Sequence, residues 1–163
     1  MKIKAIIALG NPGRRYEMTF HNVGILVTEY LEQLAREADM NIDFVYSKHF
    51  MNQSGLAITE FLKQKNFAIG QCLIVHDDSD LLLGEYKLSF DASSAGHRGI
   101  DNIIDLTGTQ KFWRLRIGIR PVEEQHRSKA SDFVLQAFNA AQADQFKLCG
   151  QKAFQHMQEQ DMF

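Results

Sequence analysis

Short apolar runs that alternate with helix-patterned segments constrain the fold of this 163-residue chain most strongly. The run from Lys4 to Leu9 is apolar after its first residue and ends at Gly10, and "CLIVH", residues 72–76, is a second run of this kind. Such continuous runs are typical of strands buried on both faces of a parallel sheet. Between them, residues 22–38 carry apolar side chains at helical spacing. The sequence therefore predicts buried strands connected by amphipathic helices.

The rest of the chain continues this alternation of strands and helices. We predict further strands at 42–46, 85–90 and 113–119, and further helices at 55–66, 99–108 and 140–160. The pattern favours an α/β fold, a three-layer sandwich with a central mixed, mostly parallel sheet flanked by helices, in a single domain over residues 1–163. In "WRLRIGI", residues 113–119, arginine alternates with apolar residues, which predicts a strand with one solvent-exposed face.

Charge argues against a strongly nucleic-acid-binding protein, because the net charge is −2. The charges are unevenly distributed, however: residues 97–130 contain seven Lys or Arg against four acidic residues. A local basic patch would attract phosphate weakly and with a steep salt dependence, and a solvated surface of mixed charge is an equal alternative.

The amino-terminal segment favours a cytoplasmic protein over a secreted one. "MKIKAIIALGNPG" has the lysines of a signal peptide, but its apolar run of about five residues ends in a turn, so we interpret it as a first strand and expect a cytoplasmic location. No apolar run approaches the roughly 20 residues that cross a bilayer. Cys72 and Cys149 lack a CxxC spacing, so burial of Cys72 is favoured over a disulfide or a metal role.

Polar residues follow three of the predicted strands. Asn11 follows the first strand, Asp77 follows "CLIVH", and His97 follows the strand at 85–90 and its small-residue loop. Sites in α/β sheets form at the carboxyl ends of strands, so we expect these residues to meet there. Simpler interpretations exist: Asn11 as a turn former beside Pro12, and Asp77 with its neighbouring acids as a solvated turn or an oxygen-rich cation site.

Five segments in this order, "GNPGRRYEMTFHNVG", "FMNQSG", "HDDSDLLLG", "AGHRG" and "FWRLRIGI", resemble the bacterial-type peptidyl-tRNA hydrolase family over roughly residues 3–136. The resemblance implies an esterase that cleaves the bond between a peptide and the 3′-terminal ribose of tRNA. It implies no metal and no other cofactor, and it makes the acceptor end of peptidyl-tRNA the partner. We expect the protein to act as a monomer without membrane contact.

The resemblance also assigns site residues. His21 matches the catalytic histidine of the family and Asp77 its carboxylate partner, while Asn11 and Asn52 match the two asparagines that orient the substrate. His97 matches a second histidine of the cleft. The residues that match positions shaping the cleft near the terminal adenosine and the peptide are Tyr16, Phe50 and Met51.

The chemistry of ester hydrolysis accounts for these residue types. An imidazole titrates near neutral pH and can deprotonate water, although a lone histidine before a helix is alternatively a capping or surface residue. A carboxylate bonded to its other ring nitrogen fixes the tautomer and stabilises the imidazolium. Asparagine amides donate hydrogen bonds to a developing oxyanion without adding charge.

Three departures from the family pattern bear on substrate binding. Arg98 stands where the family usually has asparagine, residues 40–50 leave no room for the usual strand pair, and the carboxyl-terminal region is short and not basic. We therefore expect tRNA contact to depend on few residues, namely Lys87, Arg98, Arg114 and Arg116. Two other functions stay open at this point: a relative that binds RNA or protein without turnover, and a hydrolase of another acyl ester.

Overall fold

The structure is a computed structural model, and it describes residues 2–121 and 129–163. Its strands are β1 (Ala5–Ala8), β2 (Asp43–Tyr46), β3 (Cys72–Leu82), β4 (Tyr86–Phe90) and β5 (Trp113–Arg120). Its α-helices are α1 (Val23–Glu37), α2 (Ser54–Lys65), α3 (Arg98–Thr107) and α4 (Ala140–Glu159). Three charged residues counted in the basic stretch, Glu123, Glu124 and Arg127, lie outside the described residues.

Within these two ranges the strands form one sheet in the order β2–β1–β3–β5–β4. The pairs β1–β2, β1–β3 and β3–β5 are parallel, and β4 is antiparallel to β5 at the edge. The predicted mixed, mostly parallel sheet with flanking helices is confirmed. Within residues 40–50 the structure has one strand, β2. This agrees with the expectation that the segment is too short for the strand pair usual in the family.

Helices cover both faces of the sheet because its central strands are apolar on both sides. One core, with α1 and α4, contains Val27, Leu115 and Phe146, and the other, with α2 and α3, contains Ile58 and Ile103. The described helices include none with the length and apolar character that a membrane span requires.

Strand β3 is longer than the sequence predicted. The acids after "CLIVH" were expected to form a turn, but they continue the strand through Leu82, and this expectation is wrong. The physical reason lies in β5, where Arg116 pairs with Asp78 and Arg120 lies 3.9 Å from Asp80. These arginines neutralise the carboxylates, and the strand passes a bulge between Asp78 and Leu82.

Two glycines permit the close approaches that shape the region around the site. A Cβ on Gly24, in the first turn of α1, would lie 2.5 Å from the carbonyl oxygen of Val75. A Cβ on Gly118 would lie 2.0 Å from the carbonyl oxygen of Leu82 at the bulge. Helix α1 can therefore begin directly against the end of the sheet, which brings the preceding residues beside β3.

Candidate active site

The polar residues predicted from the sequence meet in a cleft at the carboxyl end of the sheet. After β1 the chain passes through α1 to one edge of the sheet, and after β2 it passes through α2 on the opposite face to reach β3. This reversal opens a crevice beside β1 and β3, where open α/β sheets place their ligand sites. The cleft has a volume of about 530 Å³, which suits a small ligand or the end of a larger one.

Asp77 lies at the centre of the polar cluster. It is a buried residue of β3 just beyond the last paired residue of β1. Its Oδ1 accepts a hydrogen bond from His21 Nδ1 at 2.9 Å and another from His97 Nε2 at 3.0 Å. One carboxylate oxygen therefore joins two imidazoles that come from segments 76 residues apart in sequence.

The hydrogen bonds determine which nitrogen of each ring carries the proton. His97 is the N-cap of α3, and its Nδ1 accepts from the backbone N–H of Ile100 at 3.3 Å, so its Nε2 carries the proton given to Asp77. In His21 the Nδ1 donates to the same carboxylate. The lone pair of a neutral His21 is consequently on Nε2, and its ring lines the cleft.

The charges around His21 raise its pKa. Burial lowers the pKa of His21, but the charge and the hydrogen bond of Asp77 outweigh burial, so the pKa is raised from 6.5. Arg98 acts in the lowering direction. Burial would raise the pKa of Asp77, but His97 and His21 hold that pKa well below its usual range. Asp77 is therefore a carboxylate at neutral pH.

A third histidine, His76, supports the cluster from behind. Its pKa is lowered well below the usual value, first by burial and then by the nearby His97, so it is neutral. Its Nδ1 is 2.6 Å from the carbonyl oxygen of Asp77, and its ring meets that of His97 edge-on at 4.6 Å between centroids. The sequence analysis placed this residue at the end of an apolar strand and did not assign it to the site.

Asn11 is held in a defined orientation at the cleft. Its Oδ1 accepts from the backbone N–H of Met51 at 2.8 Å, which leaves its Nδ2 as the donor group. Asn22 holds the backbone of Asn11 at both ends, with its Oδ1 accepting from Asn11 N at 2.8 Å and its Nδ2 donating to Asn11 O at 2.9 Å. The sequence analysis did not assign Asn22 to the site. The signal that could have indicated it is its position next to His21 in "TFHNVG".

Aromatic residues form the outer rim of the cleft. Phe50 is 46% exposed and meets Tyr16 edge-on at 6.2 Å, and the exposed Asn52 follows in the next turn. Arg15 was not predicted as a site residue; its guanidinium lies 4.6 Å from the Tyr16 ring centroid and donates to the Tyr16 hydroxyl at 2.7 Å. Met51 is buried and lines the cleft below this rim.

The predicted basic residues divide into different environments. Lys87 and Arg98 are exposed, and Arg98 lines the cleft. Arg116 is opposite Lys87 in the β4–β5 register, and its side chain is 17% exposed and paired with Asp78. The prediction of a solvent-exposed face at Arg114 is wrong, because the loop that follows β4 covers this residue.

The cluster could also be considered as a metal centre. One ligand atom each from His21, Asp77 and His97 lies within 4.8 Å of the others, which is the spacing of a possible ion site in the described part of the chain. Ligation needs a lone pair on both ring nitrogens that now give their protons to Asp77. For His97, that change would place a proton on Nδ1 against the N–H of Ile100 and remove the cap of α3. The three side chains are therefore better suited to the two hydrogen bonds on Asp77 than to coordination of a metal ion.

The fold and the site together define an α/β enzyme with a histidine–carboxylate pair at a strand-end cleft. The sequence model described as "Peptidyl-tRNA hydrolase" matches residues 5–161. A peptidyl-tRNA hydrolase of Aquifex aeolicus is 38% identical over 156 residues, covering 85% of this chain and 80% of the relative. One from Phytoplasma mali is 32% identical, covering 93% and 92%.

Solved structures give the same result. The crystal structure of peptidyl-tRNA hydrolase from Acinetobacter baumannii superposes with a TM-score of 0.79 at 26% identity, covering 96% of this chain and 87% of that one. The chain belongs to the peptidyl-tRNA hydrolase family. It is therefore a hydrolase that acts in translation, and not a relative that only binds RNA or protein.

Proposed function

We propose that the chain hydrolyses the ester between a peptide, or an N-blocked amino acid, and the 3′-terminal ribose of tRNA, with His21 as general base and without a metal. The observation that carries the mechanism is the hydrogen bond from His21 Nδ1 to the buried Asp77 in the cleft. It leaves Nε2 to accept a proton, and Asp77 stabilises the imidazolium that results.

The proposed reaction begins with a water molecule beside His21. Nε2 takes a proton from the water as its oxygen attacks the ester carbonyl, and the tetrahedral intermediate carries a negative charge on the former carbonyl oxygen. When the carbon–oxygen bond to the ribose breaks, the imidazolium returns the proton to the leaving oxygen. The products are the peptide acid and tRNA with a free terminal hydroxyl.

Asn11 and Asn52 serve as hydrogen-bond donors to the carbonyl or to the peptide backbone in this scheme. The Oδ1 of Asn11 is already used by Met51 N, so Asn11 presents an amide N–H₂ group. A preorganised donor of this kind contributes roughly 3 kcal/mol to transition-state stabilisation in comparable sites. His97 holds the second bond to Asp77, while Phe50 and Met51 line the cleft and Tyr16 packs against Phe50.

Phosphate contacts are assigned to the exposed Lys87 and Arg98, with a smaller contribution from the paired Arg116. Lys87 lies on the edge strand β4, and Arg98 begins α3 directly after His97 and lines the cleft. We also propose a single-domain monomer in the cytoplasm, and light scattering of the purified protein tests the oligomeric state.

The experiment that tests the proposal follows the release of free tRNA from an N-blocked aminoacyl-tRNA by purified protein. We expect turnover by the wild-type protein and a loss of about 10²–10⁴-fold in His21→Ala, the usual contribution of a general base. The fold of the variant is checked by circular dichroism. A folded His21→Ala protein that keeps more than about a tenth of the wild-type rate contradicts the assignment of the base.

A further inference from the structure

Arg114 lies in the middle of β5, where the sequence pattern suggested a phosphate contact. Its register partners are Ile74 in β3 and Ser89 in β4, so it stands between two strands rather than at an edge. The residue is only 1% exposed. A guanidinium this deeply buried cannot meet a tRNA phosphate in the present conformation, and its charge must be compensated inside the protein.

The compensation comes from carbonyl groups of the loop between β4 and α3. Arg114 Nη1 donates to the carbonyl oxygen of Ser93 at 2.9 Å, and Nη2 donates to that of Ala92. The Cζ atom of Arg114 lies over the ring of Phe112, 5.5 Å from its centroid. Two donors on one planar group thus hold two successive carbonyls, which a single ammonium group cannot reproduce.

This loop needs external support. Asp91 and Ala95 have φ angles of 49° and 51°, in the left-handed region that aspartate tolerates but that is unfavourable for alanine. Within the loop, Ser94 supports Gly96 through its Oγ at 3.1 Å and His97 through its carbonyl at 3.1 Å. Gln110 Nε2 donates to Asp91 Oδ1 at 3.0 Å and holds the start of the loop, and the arginine bonds connect its middle to the central sheet.

The loop is part of the active-site cleft. Its residues Ser94, Ala95 and Gly96 line the cleft, and it ends at His97, which donates to Asp77. A shift of the loop would therefore move a wall of the cleft and weaken one of the two bonds on the carboxylate that orients His21. Misplacement by about 1 Å can cost roughly 100-fold in rate.

We propose that Arg114 is a positioning residue that clamps the loop at residues 91–96 and thereby holds His97 and the cleft wall in place for hydrolysis. The effect on rate rests on the proposed function, whereas the clamp itself does not. The role is distinct from tRNA binding, because both terminal nitrogens already donate to the protein.

The test compares Arg114→Met, Arg114→Lys and the control Arg120→Met. Methionine fills much of the volume without donors, and lysine keeps the charge but reaches one carbonyl. Arg120 is an arginine of the same strand whose ion pair is with Asp80. The measurements are kcat and KM on N-blocked aminoacyl-tRNA, thermal unfolding, and hydrogen exchange of the peptide covering residues 91–97 by mass spectrometry.

We expect Arg114→Met to lower kcat by about tenfold or more, within the cost of a small displacement, with KM changed by less than about threefold. Exchange should rise in residues 91–97 more than elsewhere, and Arg114→Lys should recover part of both effects. Arg120→Met should keep kcat within about twofold even where its Tm falls, since its ion-pair partner Asp80 belongs to β3 and not to this loop.

Two results would overturn the proposal. One is an Arg114→Met protein whose KM for tRNA rises at constant kcat, which would return the residue to substrate binding. The other is unchanged exchange at residues 91–97 in a folded variant. Should Arg114→Met fail to fold, the same comparison rests on Arg114→Lys. Hydrogen exchange needs no turnover, so a wild-type protein inactive on peptidyl-tRNA would refute the proposed function and still leave the clamp tested.

Discussion

Replacing Asp77 with asparagine removes one negative charge from between two imidazoles while keeping the size of the side chain. Both histidines bond to the same oxygen, so an asparagine whose Oδ1 takes that position still accepts both hydrogen bonds. The variant therefore separates the charge of Asp77 from its geometry, which a truncation to alanine does not.

The magnitude follows from what the charge does for His21. A hydrogen bond to a charged group is worth about 1.5–3 kcal/mol, against about 1 kcal/mol for a neutral one, so about 0.5–2 kcal/mol of imidazolium stabilisation is lost. At about 1.36 kcal/mol per unit, the pKa of His21 falls by roughly one unit. Burial and Arg98 act in the same lowering direction, so the pKa should fall below 6.5.

The assay is the pH profile of kcat/KM on N-blocked aminoacyl-tRNA. A raised pKa of the base places the acidic limb of the wild-type profile above 6.5, with activity lost as pH falls through it. In Asp77→Asn this midpoint should move to lower pH, and the plateau rate should fall by roughly 2–30-fold, the equivalent of about 0.5–2 kcal/mol. The loss stays smaller than that of His21→Ala.

Two outcomes would refute this reasoning. An acidic midpoint that rises in Asp77→Asn would mean that the carboxylate does not act on His21 as a counter-charge. A rate below that of His21→Ala would mean that Asp77 has a role in the reaction beyond orienting and stabilising the imidazole. His97→Asn serves as the comparison, since it removes the other bond to Asp77 and keeps the charge.

Three further predictions concern the ions, the substrate and the support of the site. Activity should survive exhaustive chelation with EDTA, because the ring nitrogens nearest Asp77 hold protons; loss restored by a divalent ion would contradict this. With Lys87 and Arg98 as main phosphate contacts, log affinity for tRNA should fall with log salt at a slope of about −1.4 to −1.8, and Arg116→Ala should change that slope by less than about one unit. Asn22→Ala should lower kcat by up to about 100-fold, since the backbone that carries a candidate oxyanion donor loses both of its anchors. Asn22→Asp, which keeps only the acceptor, should be intermediate, and equal rates in all three proteins would remove Asn22 from the site.

Much of the fold was predictable because its signals are local. Apolar runs bounded by glycine or polar residues marked the strands, and helical spacing placed α1 and α4 to within one or two residues of their observed ends. Sites at the carboxyl ends of parallel strands then predicted that Asn11 and Asp77 would meet, whereas His97 follows the antiparallel β4 and reaches Asp77 through the loop at 91–96. The boundary of β3 could not be read in this way, because the arginines that neutralise its acids belong to another strand.

The sequence by itself determined the strands, the helices and the chemical groups available to the site, since periodicity and residue type are properties of neighbouring residues. Only the tertiary structure decided how those groups are used. Alternation in β5 correctly placed Arg114 and Arg116 on one face, but it could not show that the loop after β4 covers Arg114. One oxygen of Asp77 serves both His21 and His97, and Asn22 holds Asn11, because the sheet brings together segments that are distant in the chain. Burial and hydrogen-bond partners arise from such long-range packing, which no local pattern records.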